Sequence, residues 1–163
     1  MMKRILAVMM VFVMLFSCVP VFAHAEGPAA TSGTTYYVSS QSGAEDNDGT
    51  SKEAPFASLL EINEITLQPG DKVLLERGSV FVDEYLHIKG SGSKEAPIVI
   101  DVYGDENAPK PLIQTNGKGV WYQDFGKSLD NTNHQNKGNV SSCILLYDVE
   151  YIEISNIDRK SVV

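Results

Sequence analysis

Cysteine is almost missing from this sequence, with only Cys18 and Cys143 among 163 residues. Cys18 sits in an apolar N-terminal run, so removal of that run would leave a single thiol that cannot close an intramolecular disulfide. The zinc-ligand spacings and the Cys–His and Gly-x-Ser-x-Gly signatures of nucleophilic catalysis do not occur. Basic residues are also scarce: Lys+Arg total 13 against Asp+Glu 21, a formal net charge of −8. That balance argues against nucleic acid as a partner, because phosphate contacts need a basic face. Tryptophan occurs once, as Trp121, and histidine three times.

What the chain does have begins at its N-terminus. Met1-Met2-Lys3-Arg4 precedes an apolar run from Ile5 to Ala23, which exits through Ala23-His24-Ala25. A basic start, an apolar middle and a small-x-small exit are the marks of a secretion signal over residues 1–25. The same run approaches the roughly 20 residues that span a bilayer, but Pro20 and the Ala-His-Ala exit favour cleavage. Leu15-Phe16-Ser17-Cys18 could serve as a lipoprotein box, against which stands bulky Phe16 where a small residue is usual. The expectation is a secreted or cell-surface protein with no membrane contact after cleavage. Residues 26–34 (EGPAATSGT) are small and turn-prone, a flexible leader, and residues 35–163 form one domain.

Strand signals dominate that domain. Short β-branched or aliphatic segments recur at Thr35–Val38, Lys72–Leu75, Tyr85–Ile88, Pro97–Tyr103, Pro111–Ile113, Cys143–Tyr147 and Tyr151–Ile154, each closed by turn residues. The two-residue period puts Ile98, Ile100 and Val102 on one face and Ile152 and Ile154 on one face, with Asp101, Tyr103, Tyr151 and Glu153 opposite. Only Ser58–Leu67 carries a helical stripe (Leu59, Ile62 and Ile65 or Leu67), with Ser58 and Glu61 in capping-box register. The pentapeptide Ser51-Lys52-Glu53-Ala54-Pro55 returns as Ser93-Lys94-Glu95-Ala96-Pro97, as a coil of strands would repeat.

Tyr36-Tyr37-Val38-Ser39, Gly43, Asn47-Asp48-Gly49-Thr50-Ser51, Ala54-Pro55-Phe56, Pro69-Gly70-Asp71-Lys72-Val73 and the later Glu95-Ala96-Pro97-Ile98-Val99-Ile100 and Tyr151-Ile152-Glu153-Ile154-Ser155-Asn156 carry a resemblance. Together they are similar to the N-terminal region of secreted right-handed parallel β-helix proteins of the pectate-lyase-like superfamily. The resemblance covers about residues 35–157. It implies an all-β, single-stranded solenoid with a short capping helix, in which strands stack at about 4.8 Å and share a narrow aliphatic core. Asn156 then falls either at an inward Asn ladder or in an ordinary turn. Such proteins continue for further coils, so a chain ending at Ser161-Val162-Val163 reads as a C-terminally truncated fragment.

Candidate chemistry is thin. Asp46-Asn47-Asp48-Gly49 invites a calcium reading, but an EF-hand frame would put Ala44 and Pro55 where carboxylates are required. A looser calcium loop and a self-satisfied turn remain the alternatives, and no metal site is assigned. The cofactor is left open, with calcium the candidate for the full-length protein. Tyr85, His87 and Lys89 form an outward row, which the solvated-face reading also explains. Trp121, Tyr122 and Asp124 are the substrate-binding candidates. They open a long polar stretch with Phe125, Asp130 and His134, and aromatic faces stack on sugar rings. The competing reading has Trp121 packing the loop base. Cys143 reads as a small buried apolar residue, and Asn139-Val140-Ser141 fits a glycosylation sequon. The expected function is a fragment of a carbohydrate-active protein on an extracellular polysaccharide, a uronate-rich one included, by lyase or hydrolase chemistry lying beyond Val163. This piece alone would be inactive. The alternative is a noncatalytic adhesin or carbohydrate-binding solenoid.

Overall fold

The computed structural model describes residues 33–124 and 137–160. These lie in the second of two compact units, Thr31–Val163. The signal segment, residues 26–32 of the leader, Phe125, Asp130 and His134, and the last three residues fall outside the described residues. The elements in chain order are β1 (Thr35–Val38), α1 (Leu59–Asn63), β2 (Lys72–Glu76), β3 (Val80–Val82), β4 (Leu86–Ile88), β5 (Ile98–Tyr103), β6 (Leu112–Gln114), β7 (Val120–Asp124), β8 (Lys137–Ser141), β9 (Ile144–Leu146), β10 (Ile152–Ile154) and β11 (Asp158–Lys160).

Three sheets are parallel, with strand orders β1-β2-β5-β10, β11-β6-β3 and β4-β9, and β7 and β8 pair as an antiparallel hairpin. Register aligns the aliphatic side chains into columns. Tyr36 lies opposite Val73, Val73 opposite Ile100, and Ile100 opposite Ile154. Phe81 lies opposite Ile113, and Leu86 and Ile88 opposite Ile144 and Leu146. Val73, Leu75, Phe81, Leu86, Ile98, Ile100 and Ile113 are wholly buried, and burying each such side chain contributes about 1.5–3 kcal/mol. Ile144, Ile152 and Ile154, on the strands at the other end of these columns, are only partly buried.

The helix begins where Ser58 and Glu61 call for it. Ser58 Oγ accepts from the Leu60 N–H (3.0 Å) and Glu61 accepts from the Ser58 N–H (2.9 Å). Glu84 joins this cap by accepting from the Ser58 hydroxyl (2.9 Å) and the Leu59 N–H (2.7 Å), a carboxylate placed at the positive end of the helix. The helix stops at Asn63 rather than Leu67 because the following residues leave it for the sheet. Thr66 bridges Lys89 in parallel, and the Leu67 N–H donates to the Lys89 carbonyl (3.0 Å). Leu67 is thereby buried without a helical position.

The expected right-handed parallel β-helix, a truncated single-stranded solenoid with a capping helix, is corrected by these observations. The described residues form a mostly-β body of parallel sheets of four, three and two strands beside an antiparallel hairpin, with neither a closed barrel nor a regular solenoid repeat. Successive strands of the largest sheet start at Thr35, Lys72, Ile98 and Ile152, spacings too unequal for a fixed-period unit. The repeated pentapeptide marks a local turn instead. Ser51 Oγ accepts from the Ala54 N–H (3.2 Å), and Ser93 Oγ accepts from the Ala96 N–H (3.1 Å) in the same way. Asn156 is a turn residue: it is exposed, has φ 59°, and donates its amide to Asp101 Oδ1 (2.9 Å).

Candidate functional site

Along β4 the pleat sends Leu86 and Ile88 into the core and His87 outward, and Tyr85, the residue before the strand, is half-buried like His87. Trp121, from β7, lies against both. Its ring centroid is 4.8 Å from that of Tyr85 and 5.8 Å from that of His87, at interplanar angles of 82° and 76°. Edge-to-face geometry of this kind is the favoured arrangement of aromatic pairs. All three side chains are half-buried, so the cluster is a shelf at the surface rather than core.

Two devices hold the shelf. Asn63, at the end of α1 and 5% exposed, donates its side-chain amide to the Tyr85 carbonyl (3.0 Å) and accepts from the His87 N–H (2.7 Å). One amide therefore fixes the backbone on both sides of Leu86. Gly119 lets the hairpin approach. It has φ 68°, and a Cβ there would stand 2.6 Å from the Ser142 carbonyl oxygen and 2.9 Å from Tyr85 Cβ, so any other residue would force the strands apart. The Ser142 N–H closes the hairpin base onto the Gly119 carbonyl (3.1 Å). Burial, and then the charge of Lys89, hold the His87 imidazole below its ordinary pKa and favour its neutral form.

A second feature is a cavity of about 480 Å³ between β9, β10 and β11, lined by Ile144, Leu146, Ile154, Asn156 and Arg159 among others. It adjoins a smaller one of about 420 Å³ that reaches Cys143. Each of these three strands is the outer strand of its sheet. Cys143 is buried, and its thiol lies 3.9 Å from Thr115 Oγ1.

The carboxylates with side-chain partners serve the fold. Asp71, 4% exposed, accepts from the Thr34 and Gln68 N–H groups (2.7 Å each). Glu76 accepts from the hydroxyls of Ser39 and Ser42. Burial opposes ionisation of Asp101, but hydrogen bonds from Asn156, the Val102 backbone and Ser155, with the charge of Arg77, outweigh it and hold the carboxyl below its usual value. Next to Glu76, the Tyr103 phenol is pushed up to about 12 by burial, by Glu76 and by Tyr37, and its buried hydroxyl has no hydrogen-bond partner among the described residues.

The structure thus brings Trp121 onto the outward row of Tyr85 and His87. Tyr122 and Asp124 lie on β7, and their side chains are outside the described residues. Asp48, from the suspected calcium loop, accepts from the Thr50 N–H (2.9 Å) and hydroxyl (2.8 Å), and Asn47 donates to the Pro55 carbonyl (2.7 Å). These are the bonds of a self-satisfied turn. Sequence reasoning missed Asn63, since nothing local distinguishes a polar residue ending a helix from one that clamps a strand 22 residues away.

No family model matches the chain. It is 53% identical over 133 residues to a lacto-N-biosidase of Bifidobacterium longum subsp. longum, a match spanning 78% of this chain and 8% of that protein. Crystal structures of a GH136 lacto-N-biosidase from Eubacterium ramulus, native and selenomethionine forms, superpose at a TM-score of 0.68 and 52% identity, over 80% of this chain and 21% of theirs. The chain therefore spans less than a tenth of the curated relative and about a fifth of the solved one. These similarities overturn the resemblance to the pectate-lyase-like superfamily, and lend the lyase alternative no support.

Proposed function

We propose that this chain is a segment of a GH136-type lacto-N-biosidase, a glycoside hydrolase whose substrate is an oligosaccharide bearing a lacto-N-biosyl unit. The observation that carries this reading is identity of 52–53% to such enzymes from two different organisms, over about four-fifths of the chain. Identity at that level reaches past the fold to the side chains, which fold likeness alone would not do. In this reading, residues 1–25 export the protein to where the oligosaccharide is.

Hydrolysis of a glycosidic bond generally uses two carboxyl groups, one on each side of the bond. Asp71, Glu76, Glu84 and Asp101 are each engaged by hydroxyl, amide or backbone N–H donors that hold turns, caps and strand ends. Their engagement supports a scaffolding role for these four carboxylates. The same engagement favours a second reading, a noncatalytic carbohydrate-binding module.

A segment exchange separates the two. Residues 33–160 replace the matching segment of the Eubacterium ramulus enzyme, and the transplant is given a chromogenic lacto-N-bioside. Turnover comparable with the parent enzyme supports the proposal. A transplant that melts like the parent and leaves the glycoside intact refutes it in favour of the binding module.

A further inference from the structure

We infer that the Tyr85–His87–Trp121 shelf is a subsite that stacks the C–H face of a neutral pyranose. This deepens the lacto-N-biosidase reading and rests on it for the choice of sugar. The geometry supplies a cluster of three partly exposed aromatic rings. Tyr85, just before β4, and His87, on it, are two residues apart and both stand nearly perpendicular to the indole, at 82° and 76°, and all three rings keep part of their surface exposed. The shelf is also built in advance. Asn63 fixes the strand beneath both rings, and Gly119 admits the hairpin that carries Trp121. A platform ordered before the ligand arrives spares the entropy of arranging three large side chains.

The polar atoms at the rim suit an uncharged sugar. The Tyr85 hydroxyl both donates and accepts, and the neutral imidazole of His87 offers one donor and one acceptor, the pattern that sugar hydroxyls match. Packing of the hairpin against β4 accounts for the aromatic contact itself. It does not account for three half-exposed rings at the surface, where an anchor alone would be expected to bury the indole.

Trp121 is the sole tryptophan, so intrinsic fluorescence of the whole 163-residue chain reports this site without labelling. The chain is titrated with lacto-N-biose, with galacturonate oligomers and with sorbitol as an open-chain control. The expected result is a saturable change in emission with lacto-N-biose, with a dissociation constant on the order of 1 mM, and none with the controls. Tyr85→Ala and His87→Ala should each weaken the response at least about tenfold, while far-ultraviolet circular dichroism stays that of the wild type. Should Tyr85→Ala unfold the chain, His87→Ala and Tyr85→Phe, which keeps the ring and loses the hydroxyl and should weaken the response, carry the test. Emission that ignores lacto-N-biose, or shifts equally with sorbitol, overturns the subsite. A silent shelf in a chain whose transplant is active overturns this inference alone, whereas sugar binding beside an inert transplant overturns the hydrolase reading and leaves the subsite standing.

Discussion

Replacing Asn63 with leucine separates the shelf from its support while filling nearly the same volume. The wild-type amide satisfies two strand groups, the Tyr85 carbonyl and the His87 N–H, from a position 5% exposed to solvent. Removing one partner of a buried hydrogen bond costs about 1–3 kcal/mol per stranded group. Two half-buried groups thus predict a loss of about 3 kcal/mol. With a urea slope of about 2 kcal/mol per molar for a domain of this size, the unfolding midpoint should fall by about 1.5 M. Equilibrium urea unfolding of Asn63→Leu, followed by circular dichroism and by Trp121 emission, measures the shift. The native baseline of Trp121 emission should also move toward that of exposed indole as the Tyr85 and His87 contacts loosen. A midpoint within about 0.3 M of wild type, with an unchanged native baseline, would refute the clamp.

Ile100 lies between Val73 and Ile154 in the aliphatic column and is wholly buried, so Ile100→Ala should cost about 3 kcal/mol in the same urea assay. The Tyr103 hydroxyl is buried without a partner among the described residues, so Tyr103→Phe should leave stability unchanged or raise it by about 1 kcal/mol. The same variant should delete a tyrosine that ionises near pH 12 from the alkaline absorbance titration; a loss of stability would reveal a partner for that oxygen. His87 is held below its ordinary pKa of 6.5 by burial and Lys89, so the folded state resists its protonation. The stability this contributes is fully present above the unfolded pKa and is lost as pH falls below it toward the folded value. The His87 ring protons should therefore titrate below pH 6.5 by NMR, and His87→Phe should flatten the dependence of the urea midpoint on pH in that window. An ordinary midpoint would contradict the half-buried placement.

Local chemistry was legible in the sequence wherever the partners are neighbours. Ser58 and Glu61 sit one helical turn apart, and the capping box they spell is the one that forms. Alternation along β5 places Ile98 and Ile100 on the buried face, as the pleat requires, while Val102 at the far end is only partly buried. Pairing partners and large-scale architecture are different in kind. Ile98 pairs with Ile152, and Trp121 meets Tyr85 36 residues away, contacts that no local pattern encodes. Short strands closed by turns fit many arrangements of parallel strands, so assigning a solenoid of one superfamily asked more of the pattern than it holds. The repeated Ser-Lys-Glu-Ala-Pro misled for the same reason, since a turn that serine closes with its own hydroxyl can recur without any larger unit recurring. Among the described residues, the rings packed on Trp121 are Tyr85 and His87, which no local pattern links to it.

The most direct test of the central claim is kcat/KM for lacto-N-bioside cleavage by the Eubacterium ramulus enzyme carrying residues 33–160 in place of its own matching segment. Fifty-two per cent identity and a shared backbone predict a value within about tenfold of the parent, a change of no more than about 1.4 kcal/mol in transition-state stabilisation. A transplant with the parent's melting temperature and a kcat/KM lower by about a thousandfold or more, some 4 kcal/mol, would contradict the assignment.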